Sequence, residues 1–210
     1  YKFKTAIKSM NKKLLKVIQD RRQQHEIHGK DPSSFDLLDI MITSPISESS
    51  GKPVTMNNEL IRANLMTILS AGHSTTTSML SWTCNFLYDS SLGNNDYRYA
   101  LIQEIAALSQ GDRRYIPNVS DVYKNLNLLT CILKESLRLS PPIPTIVRHC
   151  LKSSNLCGYK VKKGEAIMIS CLGTHLNPAS WEDPHTFNPS RFESPVPHPC
   201  AFIPWAGGPR

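Results

Sequence analysis

The sequence predicts a mainly α-helical chain with a small β-sheet, organised around one long central helix and finished by an irregular C-terminal loop region. Three observations carry that reading. Between residues 57 and 88, Ile61, Leu65, Ile68, Gly72, Thr75, Met79, Trp82 and Phe86 recur at intervals of three and four, the spacing that lines one face of a helix. After Pro141-Pro142 the pattern changes to short runs of β character, since a residue preceding proline is pushed out of helical space. From about Leu176 onward the chain is dense in proline and shows little periodicity; structureless stretches of that length are uncommon unless they are functional.

In order along the chain, residues 1–28 carry Phe3, Ile7, Met10, Leu14, Val17 and Ile18 on one helical face, with Gly29 placed to stop the helix. Asp31-Pro32-Ser33-Ser34 reads as a turn with a helix cap, followed by a short apolar helix over 35–43. Residues 44–52, rich in Ser, Pro and Gly, read as a loop. Asn57 or Asn58 can cap the long helix, and Glu59 suits the positive end of its dipole. A second loop spans 89–96, and a helix over 97–109 follows on Leu101, Ile102, Ile105 and Leu108. Residues 121–139 hold two helical pieces, the second with Leu129, Ile132, Leu133 and Leu137 on one face. Runs at 156–161 and 166–172, on either side of Lys162-Lys163-Gly164, predict a small hairpin.

The 210 residues are 40% hydrophobic and 20% charged, enough to bury a core. The net charge of +7 is concentrated: Lys2, Lys4, Lys8, Lys12, Lys13, Lys16, Arg21 and Arg22 crowd the first helix, where Asp20 is the one acid up to residue 22. Such a face suits an acidic protein, an anionic membrane surface or nucleic acid, and equally a solvated helix surface. Aromatics do not interleave with it, so no nucleic-acid module is read. Cys84, Cys131, Cys150, Cys157, Cys171 and Cys200 are scattered through a chain too large to need disulfide staples, which points to a reduced, intracellular setting. No signal peptide is visible, and Arg62 and Asn64 interrupt the best candidate for a membrane span. The opening Tyr1-Lys2-Phe3 falls in mid-pattern, which leaves room for an anchor ahead of it.

Mid-way along the long helix, Ala71-Gly72-His73-Ser74-Thr75-Thr76 replaces large apolar groups with a gap and a hydroxyl. Gly costs about 1 kcal/mol relative to Ala in a helix interior. A Thr hydroxyl can bond a carbonyl one turn back and loosen the ladder. The helix therefore reads either as built to bend around a ligand or as a core helix that another helix crosses closely. Glu135 and Arg138, three apart, fall on one helical face and can pair; taken singly this is an ordinary ion pair worth about 0.5 kcal/mol. Arg191 is a further guanidinium in an irregular segment, and Phe202 to Arg210 is a Gly-rich loop preceded by aromatics and closed by an arginine. Such a loop invites a planar anionic ligand against exposed backbone amides.

Together and in this order, these pieces resemble the haem-thiolate monooxygenases, the cytochrome P450 family. Ala71, Gly72, His73, Ser74, Thr75 and Thr76 match the oxygen-binding kink of that family's central helix. Glu135 and Arg138 match its Glu-x-x-Arg element, with Arg191 in Pro189-Ser190-Arg191-Phe192 resembling the third member of that family's buried charge network. Trp205 to Arg210 resembles the first part of the haem loop, Phe-x-x-Gly-x-Arg-x-Cys. The resemblance covers residues 1–210 as the C-terminal part of one P450 domain, truncated at both ends. It implies haem b as cofactor, electrons from NAD(P)H through the flavin of a separate or fused reductase, and oxygen insertion into a lipophilic substrate. The lead into the central helix is most similar to the fatty-acid-hydroxylating branches. Thr75, Ser74, Gly72 and Ala71 become the catalytic segment, and Arg210, Arg148, Trp205 and Gly208 the cofactor-binding residues. Glu135, Arg138 and Arg191 become structural. The setting implied is intracellular, at the endoplasmic reticulum membrane or in the cytoplasm.

Three departures qualify the match. The family's axial cysteine is expected two residues after Arg210, outside this chain, and Cys200 lies ahead of the loop where the family has no ligand. Ser74 stands where an acid is usual, so proton delivery is expected to lean on water. Trp205 and Ala206 stand where Phe and Gly are usual. Two other readings stay open at this point. One is an enzyme of the same fold that rearranges or dehydrates fatty-acid hydroperoxides without a reductase. The other is a zinc-binding module built from Cys150, Cys157, Cys171, His175, His198 and Cys200, although no close Cys-x-x-Cys pair supports it. Without the axial ligand, the piece by itself is expected to be inert.

Overall fold

The structure is a computed structural model of the chain and describes residues 2–28, 36–47, 53–89, 95–112 and 114–207. Among these, the elements run α1 (Lys2–His28), α2 (Leu37–Thr43), β1 (Pro45–Ser47), β2 (Pro53–Thr55), α3 (Asn58–Tyr88), α4 (Asn95–Ser109), α5 (Val119–Asn125), α6 (Asn127–Leu139), β3 (Thr145–His149), β4 (Ser154–Leu156), β5 (Tyr159–Val161), β6 (Ala166–Ser170) and α7 (Cys171–His175), with a 3₁₀ turn at Pro189–Phe192. The class is the one expected: mainly helical, with three small two-stranded antiparallel sheets. The chain divides into two compact units, Tyr1–His73 and Ser74–Arg210, with the division falling inside α3.

In the first unit, α1 and α2 close on the start of α3. Ile18, Leu38, Met41, Ile42 and Ile61 form the core, with Met56 and Leu65 packed against it. Of the apolar face expected on α1, Ile18 is fully buried while Met10 and Val17 remain exposed. Polar contacts hold α1 more than that stripe does. Arg22 donates to Asn58 Oδ1 at 2.8 Å and to the Met56 carbonyl at 2.6 Å. Arg21 and His25 both reach the buried Asp39, at 2.7 Å each. Burial pushes the Asp39 carboxyl up, but the Asp36 N–H, the Arg21 guanidinium and the His25 ring outweigh it and hold it well below the usual carboxylate range.

The cap of α2 is Asp36, whose Oδ1 accepts the N–H groups of Leu38 and Asp39 while Asp39 returns the bond to the Asp36 N–H, a capping box. The cap sought at 31–34, and the stop at Gly29, lie outside the described residues. Asn57 caps α3, accepting the Leu60 N–H at 2.8 Å. The stretch read as a loop over 44–52 is bracketed by a ladder instead, with Pro45 opposite Thr55 and Ser47 opposite Pro53. Two prolines in so short a pairing hide the strands from a periodicity reading.

In the second unit, α6 is the hub. Ile132 is fully buried with Leu87 and Phe187, and Phe86, Tyr97, Leu101, Leu128 and Leu139 pack around them. Cys131 joins a second cluster with Trp181, Phe192 and Ala201. The residue before α6, Leu126, has no capping side chain; Glu104 of α4 substitutes, its carboxylate taking the Leu128 and Leu129 N–H groups at 2.8 and 3.0 Å.

The expected hairpin between 156–161 and 166–172 is not the pairing that forms. β4 pairs with β5 through a tight turn at Cys157-Gly158, both at positive φ (49° and 91°). β6 pairs with β3 over five residues, Thr145 opposite Ser170 and Arg148 opposite Ile167. Along α3 the inward face also shifts: Thr83 and Leu87 are buried whereas Ile68 (42%) and Trp82 (45%) stay exposed. The helix remains α-helical through Gly72 and Thr75.

Candidate functional site

The second unit holds a charged constellation at zero exposure. Arg138 and Glu135 are both fully buried on α6, one turn apart as their spacing of three dictates. Arg138 Nε donates to Glu135 Oε2 at 2.7 Å and Nη2 to Oε1 at 2.8 Å, a bidentate pair. Nη1 donates to the carbonyls of His175 (2.9 Å) and Pro184 (2.6 Å), and Nη2 also reaches the Thr186 carbonyl at 3.2 Å. All five donors of the guanidinium are therefore matched, and its carbon lies 5.2 Å from the Trp181 ring centroid.

Glu135 has two further partners. The Asn188 N–H donates to Oε1 at 2.8 Å, and Arg191 Nε stands 3.5 Å from the same oxygen, while Arg191 Nη2 donates to the Asp183 carbonyl at 2.9 Å. So Glu135, Arg138 and Arg191 meet at one place, and the irregular segment from Pro184 to Asn188 is pinned to α6 by main-chain bonds to them. The reading of Glu135 and Arg138 taken singly, as an ordinary ion pair of the kind found at surfaces, does not survive: neither side chain reaches solvent.

In the same unit a cavity of about 730 Å³ is lined by Ile143, Thr145, Ile146, Val147, Arg148, Pro204, Trp205 and Ala206. β3 supplies one wall in register with β6, and the loop after Phe202 supplies the other. Arg148 and Trp205 thus share a cavity; Trp205 is 72% exposed to it and to solvent. Ala206 sits at φ 66°, the left-handed region that favours glycine. An open, mostly apolar slot with one guanidinium at its rim has the donor chemistry that a flat apolar ring with acidic edges requires. No sulfur lines it among the described residues, and Gly208 and Arg210 lie outside those residues.

Ala71, Gly72 and Ser74 are exposed on α3 and Thr75 is half-buried; a Cβ added at Gly72 would meet nothing within 4 Å. Ala71 and Gly72 belong to the first unit and Ser74 and Thr75 to the second.

Sequence reasoning missed several contributors. Asn188 donates its N–H to Glu135 and accepts the Tyr97 hydroxyl on its Oδ1 at 3.0 Å. Glu104 caps the helix that carries the pair, and His175 accepts the Ile203 N–H on Nε2 at 2.8 Å. No local signal marks them, because each acts on a segment distant in sequence. The zinc reading loses its ligands. Among the described residues no three His, Cys, Asp or Glu side chains could hold a metal ion. His175 is buried with Nε2 already engaged, and His198 accepts the Cys200 N–H.

A sequence profile of the cytochrome P450 family matches residues 1–210. The chain belongs to the cytochrome P450 family. Among curated relatives, human cytochrome P450 4F2 is 36% identical over 206 residues, 92% of this chain and 38% of the relative. Rat cytochrome P450 4X1 is 33% identical over 202 residues, 93% of this chain and 38% of the relative. The crystal structure of the cytochrome P450DA heme domain superposes with a TM-score of 0.79 at 30% identity, over 96% of this chain and 42% of that one. The chain thus spans about two-fifths of the length of the proteins it matches.

Proposed function

We propose that the polypeptide carrying this chain is a haem-thiolate monooxygenase that inserts one oxygen atom of O₂ into a lipophilic substrate, a fatty acid first of all. Its electrons come from an NAD(P)H-dependent flavin reductase, separate or fused. Residues 1–210 are the C-terminal part of that single P450 domain, truncated at both ends, and the setting is intracellular, at the endoplasmic reticulum membrane or in the cytoplasm. The described residues include no helix long and apolar enough to cross a membrane. The observation that carries the reading is the buried Glu135–Arg138–Arg191 network, anchored to the same C-terminal segment whose continuation forms the Arg148–Trp205 cavity.

Each residue takes a physical role in this proposal. Arg148, with Arg210, holds acidic ring substituents by charge-assisted hydrogen bonds. Trp205 stacks beside the ring, and Gly208 lets the backbone approach it. When bound, haem with a thiolate ligand supplies the oxidising chemistry, since the thiolate pushes electron density onto iron and favours O–O cleavage. Gly72 and Ala71 leave space on α3, and Thr75 holds a water and passes protons through its hydroxyl, general acid work done through a relay. With Ser74 where an acid is usual, that relay depends more on water. Glu135, Arg138 and Arg191 fix the segment that presents the ring's ligand.

Turnover of the complete polypeptide with a reductase, NADPH and a panel of fatty acids tests the proposal, with ¹⁸O₂ as the reporter. One labelled oxygen per hydroxylated product is expected. Conversion of fatty-acid hydroperoxides without reductase or O₂, and no labelled product, would move the chain to the hydroperoxide-rearranging reading that Ser74 keeps open.

A further inference from the structure

His175 closes α7 and is fully buried, yet none of the motifs above gives it a role. Three contacts converge on it. Its carbonyl accepts a hydrogen bond from Arg138 Nη1 at 2.9 Å. Its imidazole Nε2 accepts the Ile203 N–H at 2.8 Å. Its ring lies against Phe202, with centroids 5.3 Å apart at an interplanar angle of 36°.

An acceptor at Nε2 fixes the tautomer: the proton resides on Nδ1. Nδ1 is buried and has no hydrogen-bond partner among the described residues. A buried donor left without a partner is a standing penalty, so the ring is held in place by what Nε2 and its faces do. Burial first, and the charge of Arg138 with it, push the imidazole pKa below its ordinary value, which keeps Nε2 free to accept. The main chain at Ile203 lies two residues before Trp205, and Pro204 between them removes one backbone donor that could otherwise anchor the loop.

We propose that His175 is a positioning residue for the cofactor loop: it relays the fixed geometry of the buried Arg138 to the Ile203 main chain and so sets where Trp205 and Ala206 lie. The proposal rests on the haem reading for its consequence, though not for its geometry. Replacement of His175 should therefore disturb ligation of the ring before it disturbs the fold.

The test compares His175→Phe and His175→Gln in the complete polypeptide. Phe keeps the ring and loses the acceptor; Gln loses the ring and offers an amide oxygen near the position of Nε2. In the reduced, carbon-monoxide-treated protein, His175→Phe is expected to lower the share of haem with the red-shifted Soret band by about tenfold, and His175→Gln to restore most of it. A parent-like share in His175→Phe, which a purely space-filling role predicts, or equal loss in both variants overturns the proposal. Amide exchange at Ile203 reads the same bond without haem. Protection in the parent and in His175→Gln with about tenfold faster exchange in His175→Phe supports the relay; equal rates in all three overturn it. Should His175→Phe fail to fold, His175→Gln decides by retaining or losing Ile203 protection. A parent that binds no haem but keeps that exchange pattern would refute the monooxygenase reading and leave the relay standing.

Discussion

Replacing Glu135 by Ala removes two of the five hydrogen bonds of Arg138, the acceptor for the Asn188 N–H and the counter-charge facing Arg191. An unpaired guanidinium then remains at zero exposure, which costs roughly 3–5 kcal/mol. Glu135→Ala is expected to abolish haem incorporation rather than slow turnover, and haem occupancy per folded polypeptide measures it; normal occupancy would refute the role. Ala206 is a second residue-scale case. It holds φ 66°, where a Cβ costs roughly 1–2 kcal/mol, so Ala206→Gly is expected to raise stability by about 1 kcal/mol in a denaturant melt. On the proposed relay, Ser74→Glu supplies the missing acid, and a rise in product formed per NADPH consumed is expected; unchanged coupling would count against a water-dependent relay. At this scale, Glu135 and Arg138 were legible as a pair because the helical period alone brings them together. Their burial was legible through the family resemblance and not from the spacing, since it depends on carbonyls of His175, Pro184 and Thr186, far along the chain.

At the scale of elements, α6 begins without a cap of its own and borrows the Glu104 carboxylate from α4. Loss of such a cap costs about 1 kcal/mol, so Glu104→Ala should lower the unfolding free energy by about that amount, read as a lower urea midpoint with an unchanged slope. α1 and α2 are joined through Asp39. Its folded pKa lies below the ordinary carboxylate value near 4, so its contribution to stability is complete above that pH and is lost as pH falls through and below it. An acid titration of the parent is expected to lose stability below about pH 4, with a flatter acid limb in Asp39→Asn. The helices were readable because periodicity and caps are local: Asn57 and the break at Pro141-Pro142 sit beside the helices they bound. Strand pairing was read wrongly because it is not local. β3 lies just past a proline run and pairs with a strand nearly twenty residues on, while the run at 156–161 contains its own turn at Cys157-Gly158.

Over the whole molecule, order of motifs carried more information than any one motif. The long helix, the Glu–Arg pair, the third arginine and the aromatic–glycine loop resemble, in that order, motifs of the cytochrome P450 family, and the chain belongs to that family. What the second unit adds is a mechanical connection: α6 holds the Pro184–Asn188 segment by charge and main-chain bonds, and the cavity between β3 and the C-terminal loop opens beyond it. On the proposed function, this arrangement would seat a porphyrin, and a cysteine two positions past Arg210 would supply the sulfur ligand. The most direct measurement is the optical spectrum of the complete polypeptide, reduced and exposed to carbon monoxide. A red-shifted Soret band, lost on replacing that cysteine, is the result expected. A stable, folded protein with no porphyrin absorbance, or with a band at the position of imidazole-ligated haem, would contradict it.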